Sequence, residues 1–226
     1  MAPDTPYAGR VSTRQERTYT SALRDEQARQ TRKRIVDAAA GLFAERGYGA
    51  TTIAAIAAAA GVSRKTVFDS VGGKAQLVKL AYDFAIVGDD EPVPLADRAE
   101  VAALEAEPDP ARRLAAYAAM VVNIDIRIAP VWLALEGAAA TDQEARALYQ
   151  QLVDQRRHSM QGPALGMAAA GELRTGLTAD MAADLMWLYN DPTVFDKLVR
   201  QQGWSIDQFQ AWLARTLQMH LLQSDG

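Results

Sequence analysis

Between residues 32 and 80 an apolar helical stretch ending at Glu45-Arg46-Gly47 is followed by two very short ones, joined through Ala60-Gly61-Val62-Ser63. A stiff pair of short helices on a tight glycine turn constrains the chain strongly. One helix props the other, whose outer face projects with no room for a catalytic cleft. That geometry suits a helix placed in the major groove of DNA.

Spacing defines the elements. Ile35, Ala38, Ala39, Leu42 and Phe43 make an amphipathic stripe, and Gly47 is a helix stop able to take the left-handed conformation. Thr51 or Thr52 can cap a second helix carrying Ile53, Ile56, Ala57 and Ala60. Gly61 suits a turn with positive φ, and Ser63 can cap a third helix over about 64–70. In that helix Val67 and Val71 face inward, while Arg64, Lys65, Thr66, Phe68 and Asp69 face outward. A fourth helix starts near Lys74 and carries Leu77, Leu80, Ala81 and Phe84.

Charge is segregated along the chain. The net charge is -4, yet residues 1–80 hold 13 Lys and Arg against 7 Asp and Glu, and the remainder hold 11 against 21. The basic part is the part with the helix-turn-helix pattern, as nucleic-acid binding requires. Cysteine is absent, which removes disulfides, thiolate zinc sites and thiol catalysis. No secretory leader is visible, and the longest uncharged apolar run, 53–62, is too short to span a bilayer. A cytoplasmic protein without a membrane partner is expected.

The residues Arg34-Ile35, Ala38-Ala39, Leu42-Phe43, Gly47-Tyr48, Thr51-Thr52, Ile56-Ala57, Ala60-Gly61-Val62-Ser63, Thr66-Val67-Phe68 and Lys74 form an ordered series. In that series the segment resembles the TetR family of bacterial transcriptional regulators, over about fifty residues. The resemblance implies an all-α homodimer, with a three-helix DNA-binding head and a larger helical body that binds a small effector and dimerises. Two departures stand out. Phe68-Asp69 replaces the frequent Tyr followed by His or Asn, and Val71-Gly72-Gly73-Lys74 lacks the hydroxyl that often precedes the fourth helix.

The residues assigned to DNA are Arg32, Thr52, Ser63, Arg64, Lys65, Thr66, Phe68 and Lys74. Arg64 and Lys65 are the expected base-edge contacts, guanine O6 and N7 foremost. The hydroxyls at helix starts can meet phosphate oxygens, with simple capping as the competing reading. Lys74 is expected to clamp a phosphate. Asp69 would repel phosphate unless it accepts from cytosine N4. Residues 1–28, with Arg10, Arg14, Arg17 and Arg24, read as a flexible or partly helical basic arm. Contact with phosphates or the minor groove and a solubilising tail both remain open for it.

The head is expected to span 29–87, and Gly88-Asp89-Asp90-Glu91-Pro92-Val93-Pro94 marks the start of a body over 88–226. Asp109-Pro110, Asp191-Pro192, Thr141 to Glu144 and Ser205 to Gln208 are helix-start signals. Pro130 should kink or split a long apolar helix, and Gly162-Pro163 should interrupt the next. No period-2 pattern appears, so the fold class is all-α. A split helix leaves a hollow. An effector pocket is therefore expected around Pro130 from Tyr117, Met120, Asn123, Ile124 and Trp132, joined by Met160 and Trp187, with ordinary core as the competing reading. Phe195, Leu198, Phe209, Trp212, Leu213 and Leu217 are expected to form an isologous dimer interface, since their apolar face is wide for a terminal helix.

Catalysis finds no support. With His158 and His220 as the chain's histidines, neither a triad nor a His-rich metal site can be built. Gly72-Gly73-Lys74 lacks the Ser or Thr and the preceding strand of a phosphate loop. No cofactor or metal is expected. The expected function is a DNA-binding regulator, a repressor released from a pseudo-palindromic operator by an effector. The alternative is a helical protein-interaction module without effector response, separable by the salt dependence of binding.

Overall fold

Residues 14–91 and 93–223 are described in the computed structural model, so Arg10 and Pro92 lie outside the described residues. Among those described, all regular elements are helical, apart from an isolated bridge between Leu173 and Leu222. Helix α1 (Arg14–Ala50) is broken at Gly47, whose φ of 74° and ψ of 171° lie outside the helical region. The buried Thr51 turns the chain there, its hydroxyl 3.0 Å from the Leu42 carbonyl oxygen and 2.8 Å from that of Gly47. Its neighbour Thr52 caps α2 (Ile53–Ala60) by accepting from the Ala55 N–H. The two adjacent threonines thus divide the work that spacing left open between them.

α2 ends at Gly61, whose left-handed φ of 68° lets the Val62 N–H donate to the Ala57 carbonyl at 3.0 Å. Ser63 then caps α3 (Arg64–Ser70) through the Thr66 N–H. α4 (Lys74–Val87) starts without a hydroxyl, and the Gln76 side-chain oxygen accepts from the Gly73 N–H at 3.1 Å instead. Caps of this kind stabilise a helix by about 1 kcal/mol each.

A short 3₁₀ turn (Leu95–Asp97) and α5 (Ala99–Glu105) lead to α6 (Pro110–Ala139), capped by Asp109. There follow α7 (Gln143–Ser159), α8 (Gln161–Ala169), α9 (Ala179–Tyr189), α10 (Pro192–Phe195), a π-helical segment (Asp196–Gln201) and α11 (Ile206–Leu221). α6 is the hub, packing against α1, α4, α7, α10 and α11. It is long and apolar enough to cross a membrane, but half of its most apolar window is buried inside the protein.

Three expectations about the body are corrected. Of the kink or split expected at Pro130 the split does not occur: α6 is continuous, with Ile128, Ala129, Val131 and Trp132 on either side all buried, and their packing outweighs one missing N–H. The cap of α7 is Asp142, one residue beyond Thr141, accepting from Ala145 N–H at 2.9 Å. The break after α7 falls at Met160, so Gly162 and Pro163 sit in the first turn of α8, where a missing N–H costs no helical bond.

Two apolar cores share α6. One joins Ile35, Phe43, Ile56, Val67, Leu77 and Tyr82 to Ile128, Trp132 and Leu135 of α6 and to Leu148 and Leu152 of α7. The N-terminal helices are therefore completed by residues beyond the segment at Gly88. The second core joins the N-terminal half of α6 to α8, α9, α10 and α11. It contains Phe195, Phe209, Leu213 and Leu217, each at most 3% exposed. These four side chains are covered by their own chain and have little surface left for a second copy. Leu198 and Trp212, partly buried, pack against the same core. The width of the α11 stripe reflects a helix gripped on several sides. On α11 the apolar side chain left exposed is Met219, and others stand at Leu165 of α8 and at Met181 and Leu188 of α9.

Of the arm, the described residues from Arg14 on are helical and belong to α1.

Candidate nucleic-acid interface and buried polar cluster

Val67 is fully buried beneath α3 and pins the roll of that helix. Arg64, Lys65, Phe68 and Asp69 consequently stand exposed on its outer face, with Phe68 half exposed. Lys65 is paired with Asp69 one turn on, both side chains largely in solvent. Asp69 thus engages the expected base-contacting lysine. Arg64 is bound by no such partner among the described residues, leaving a guanidinium fork open at the first turn. Ser63 and Thr66 hydroxyls lie 2.8 Å apart, so both are engaged at the cap. Thr52 is likewise spent as an acceptor at its cap, though its hydroxyl hydrogen stays available. Arg32 is exposed on α1.

Lys74 behaves differently from a free phosphate clamp. Its ammonium lies 4.0 Å from the centroid of the Tyr48 ring and 3.4 Å from the Gly49 carbonyl oxygen, and burial lowers its pKa. It ties the start of α4 to the turn after α1. Burial foremost pushes the Tyr48 hydroxyl up to about 12.

The seven expected pocket residues do not form one cavity. Met120, Asn123 and Ile124 line a groove of about 480 Å³ together with Leu104, Arg98 and Arg127. Trp132 is fully buried between Tyr82 and Tyr149, with ring centroids 6.0 Å and 5.0 Å away. Trp187 borders a second groove with Val153, Met181 and Leu188. Tyr117 and Met160 belong to an interior network: the Tyr117 hydroxyl donates to the Met160 sulfur at 3.1 Å and accepts from Asn190 Nδ2.

That network leads to a group of residues the sequence reading missed. Arg156 of α7 lies 5.1 Å from the Trp132 ring centroid and 5.8 Å from that of Trp187. It donates to the carbonyl oxygens of Trp187 (3.0 Å) and Asn190 (3.2 Å), and pairs with Asp191 at 3.4 Å. Asp125 of α6 is 2% exposed, and burial holds its carboxyl well above the usual range, against the pull of Arg156. Four buried polar atoms find no hydrogen-bond partner among the described residues: Asp125 Oδ2, Asn190 Oδ1, and the indole nitrogens of Trp132 and Trp187. All four belong to residues around Arg156. Buried polar atoms are nearly always satisfied, so such a gathering is unusual. A signal existed in the sequence. Asp125 continues the inward stripe of Tyr117, Val121 and Trp132, and Arg156 that of Leu148 and Leu152, so each charge sits at a core position.

The short α2, the glycine turn and an α3 with an open arginine define a helix-turn-helix transcriptional regulator, a protein that binds DNA in a sequence-specific way. Residues 35–81 match the bacterial regulatory proteins of the tetR family. The chain is 29% identical over 164 residues to the HTH-type transcriptional regulator CymR of Pseudomonas putida, covering 72% of this chain and 75% of that one. Its fold is that of NalD, the secondary repressor of the MexAB-OprM multidrug efflux pump in Pseudomonas aeruginosa (TM-score 0.63, 21% identity, 87% of this chain and 98% of that one). A protein from Saccharomonospora viridis in complex with choline has it too (TM-score 0.62, 20% identity, 86% and 99%). Over residues 35–81 the chain thus carries the DNA-binding segment of the TetR family.

Proposed function

We propose that this regulator is a repressor, released from its operator when a small effector enters the body. The observation that carries this reading is the set of unsatisfied polar atoms around Arg156, a site that a ligand would complete. NalD being a repressor and the Saccharomonospora viridis protein holding choline both support it. The role is one of binding, without a chemical step, on chromosomal DNA in the cytoplasm.

On DNA, Arg64 reads a guanine edge and Phe68 meets a thymine methyl from the outer face of α3. Arg32, Thr52, Ser63 and Thr66 meet phosphates. Lys65 adds a contact when it leaves Asp69, and Lys74 chiefly braces the start of α4. Two copies pair through the exposed Leu165, Met181 and Leu188 of α8 and α9. That pairing sets two recognition helices about 34 Å apart on a pseudo-palindrome. The groove holding Met120, Asn123 and Ile124 touches Ile86 and Val87 at the end of α4, so a body that repacks around an effector moves α4 and the heads with it.

The test is selection of bound genomic fragments by the purified protein without added ligand. An inverted repeat is expected, and Arg64→Ala should lose about 1–3 kcal/mol of preference at one base pair per half-site. Recovery of no preferred sequence, or an Arg64→Ala variant with unchanged preference, would count against the reading.

A further inference from the structure

The interior around Arg156 lacks one kind of group more than any other. Arg156 itself is served, by Asp191, by two carbonyl oxygens and by two indole faces. Asp125 is not: its Oδ2 has no donor among the described residues, and the N–H groups of the nearby arginine are directed elsewhere. Asn190 repeats the shortage. Its amide nitrogen is spent on Tyr117 and Met160, and its Oδ1 meets no donor. A buried carboxylate is costly unless a cation pairs with it. Trp132 and Trp187, whose faces already hold the Arg156 cation, make the surround one that favours positive charge. An organic anion would instead set a second negative charge against Asp125. The two unpaired indole N–H groups ask for one thing more, an acceptor oxygen.

We infer that the effector is a small organic ammonium compound bearing a hydroxyl or carbonyl oxygen, its cation seated on Asp125 and its oxygen facing an indole N–H of Trp132 or Trp187. The inference rests on the effector reading above and names the chemistry of that site.

The test titrates the full chain with choline, with its uncharged isostere 3,3-dimethylbutan-1-ol, with phenethylamine and with 3-phenylpropionate. Thermal stability, tryptophan fluorescence and retention on the selected operator are read together. The ammonium compounds should raise Tm, change the fluorescence and reduce operator retention, while the alcohol and the carboxylate do not. Asp125→Asn should raise the ligand-free Tm and weaken ammonium binding by at least about 30-fold. If the alcohol or the carboxylate acts as well as the ammonium compounds, the charge assignment is overturned while effector response stands. If none of these compounds binds, or if Asp125→Asn lowers the ligand-free Tm and leaves ammonium binding intact, the inference is overturned. Screening a neutral and anionic chemical library for operator release then judges the effector reading by itself.

Discussion

Arg127 of α6 donates from Nε to the carbonyl oxygen of Ala85 at 2.6 Å and from Nη2 to that of Ile86 at 3.0 Å, so a body side chain finishes the last turn of α4. Around this junction Arg98 forks onto Asp89 at 2.6 and 2.7 Å, holding that carboxyl down at about 2, and Arg29 of α1 reaches Asp90 at 2.5 Å. Side chains from α1, from the segment before α5 and from α6 thus converge where the head meets the body.

Arg127→Ala opens the α6 bond of that junction. Arg127 is an exposed residue, so the stability loss should stay near 1 kcal/mol or below. Operator affinity without effector should change less than about threefold. The drop in affinity on adding effector should shrink, because α4 no longer follows α6. Operator titrations with and without effector measure both quantities, and a full-sized drop in the variant would show that coupling bypasses Arg127.

Asp69→Asn should tighten DNA binding. The Lys65–Asp69 pair has side chains 82% and 60% exposed, so it contributes little to stability. Removing the carboxylate frees the ammonium and takes a negative charge from the face toward DNA. The slope of log affinity against log salt should steepen by about one. Weaker binding by the variant would mean that Asp69 itself accepts from a base.

Phe209→Ala and Leu188→Asp separate core from interface. Phe209 is fully buried, so its loss should cost about 3–5 kcal/mol and lower Tm without a specific effect on association. Leu188 is half exposed; an acid there should leave Tm of the isolated chain nearly unchanged and shift sedimentation toward monomer. The opposite pattern would return the interface to α11.

The pH dependence of Asp125→Asn follows from the raised carboxyl. Burial is the largest cause, Asp191 adds to it and Arg156 opposes it. Unfolded, the group titrates near about 3.9. A folded-state value above the unfolded one means that its contribution is fully present below the unfolded pKa and is lost as pH rises through the folded one. Asparagine keeps the uncharged shape without titrating. Ligand-free wild type and variant should therefore match near about pH 4, and the variant's Tm advantage should grow toward neutral pH. Thermal melts across that range would refute the placement if the difference stayed flat.

Much of the head was readable because its signals are local. Gly61, Ser63 and Val67 lie within a few residues of the turn they shape, and a cap or a left-handed glycine acts on its own helix end. Asp142 displaced Thr141 as a cap because a carboxylate one residue on accepts from the same first-turn amides. Pro130 did not split α6 because its local penalty is small against the burial of Trp132 and its neighbours in two cores. Phe209 and Leu217 looked available to a second copy because an apolar stripe has the same spacing whether its cover comes from its own chain or from another.

By itself, then, the sequence determined the all-helical class, the helix-turn-helix head and the outward set of Arg64, Lys65 and Phe68, all consequences of helical period and end chemistry. Tertiary structure decided which apolar faces are consumed internally and that Asp125, Arg156 and Asn190 meet in one place. Those outcomes depend on how α6, α7 and α9 pack against one another, and such packing is a sum over distant contacts that no local window of sequence contains.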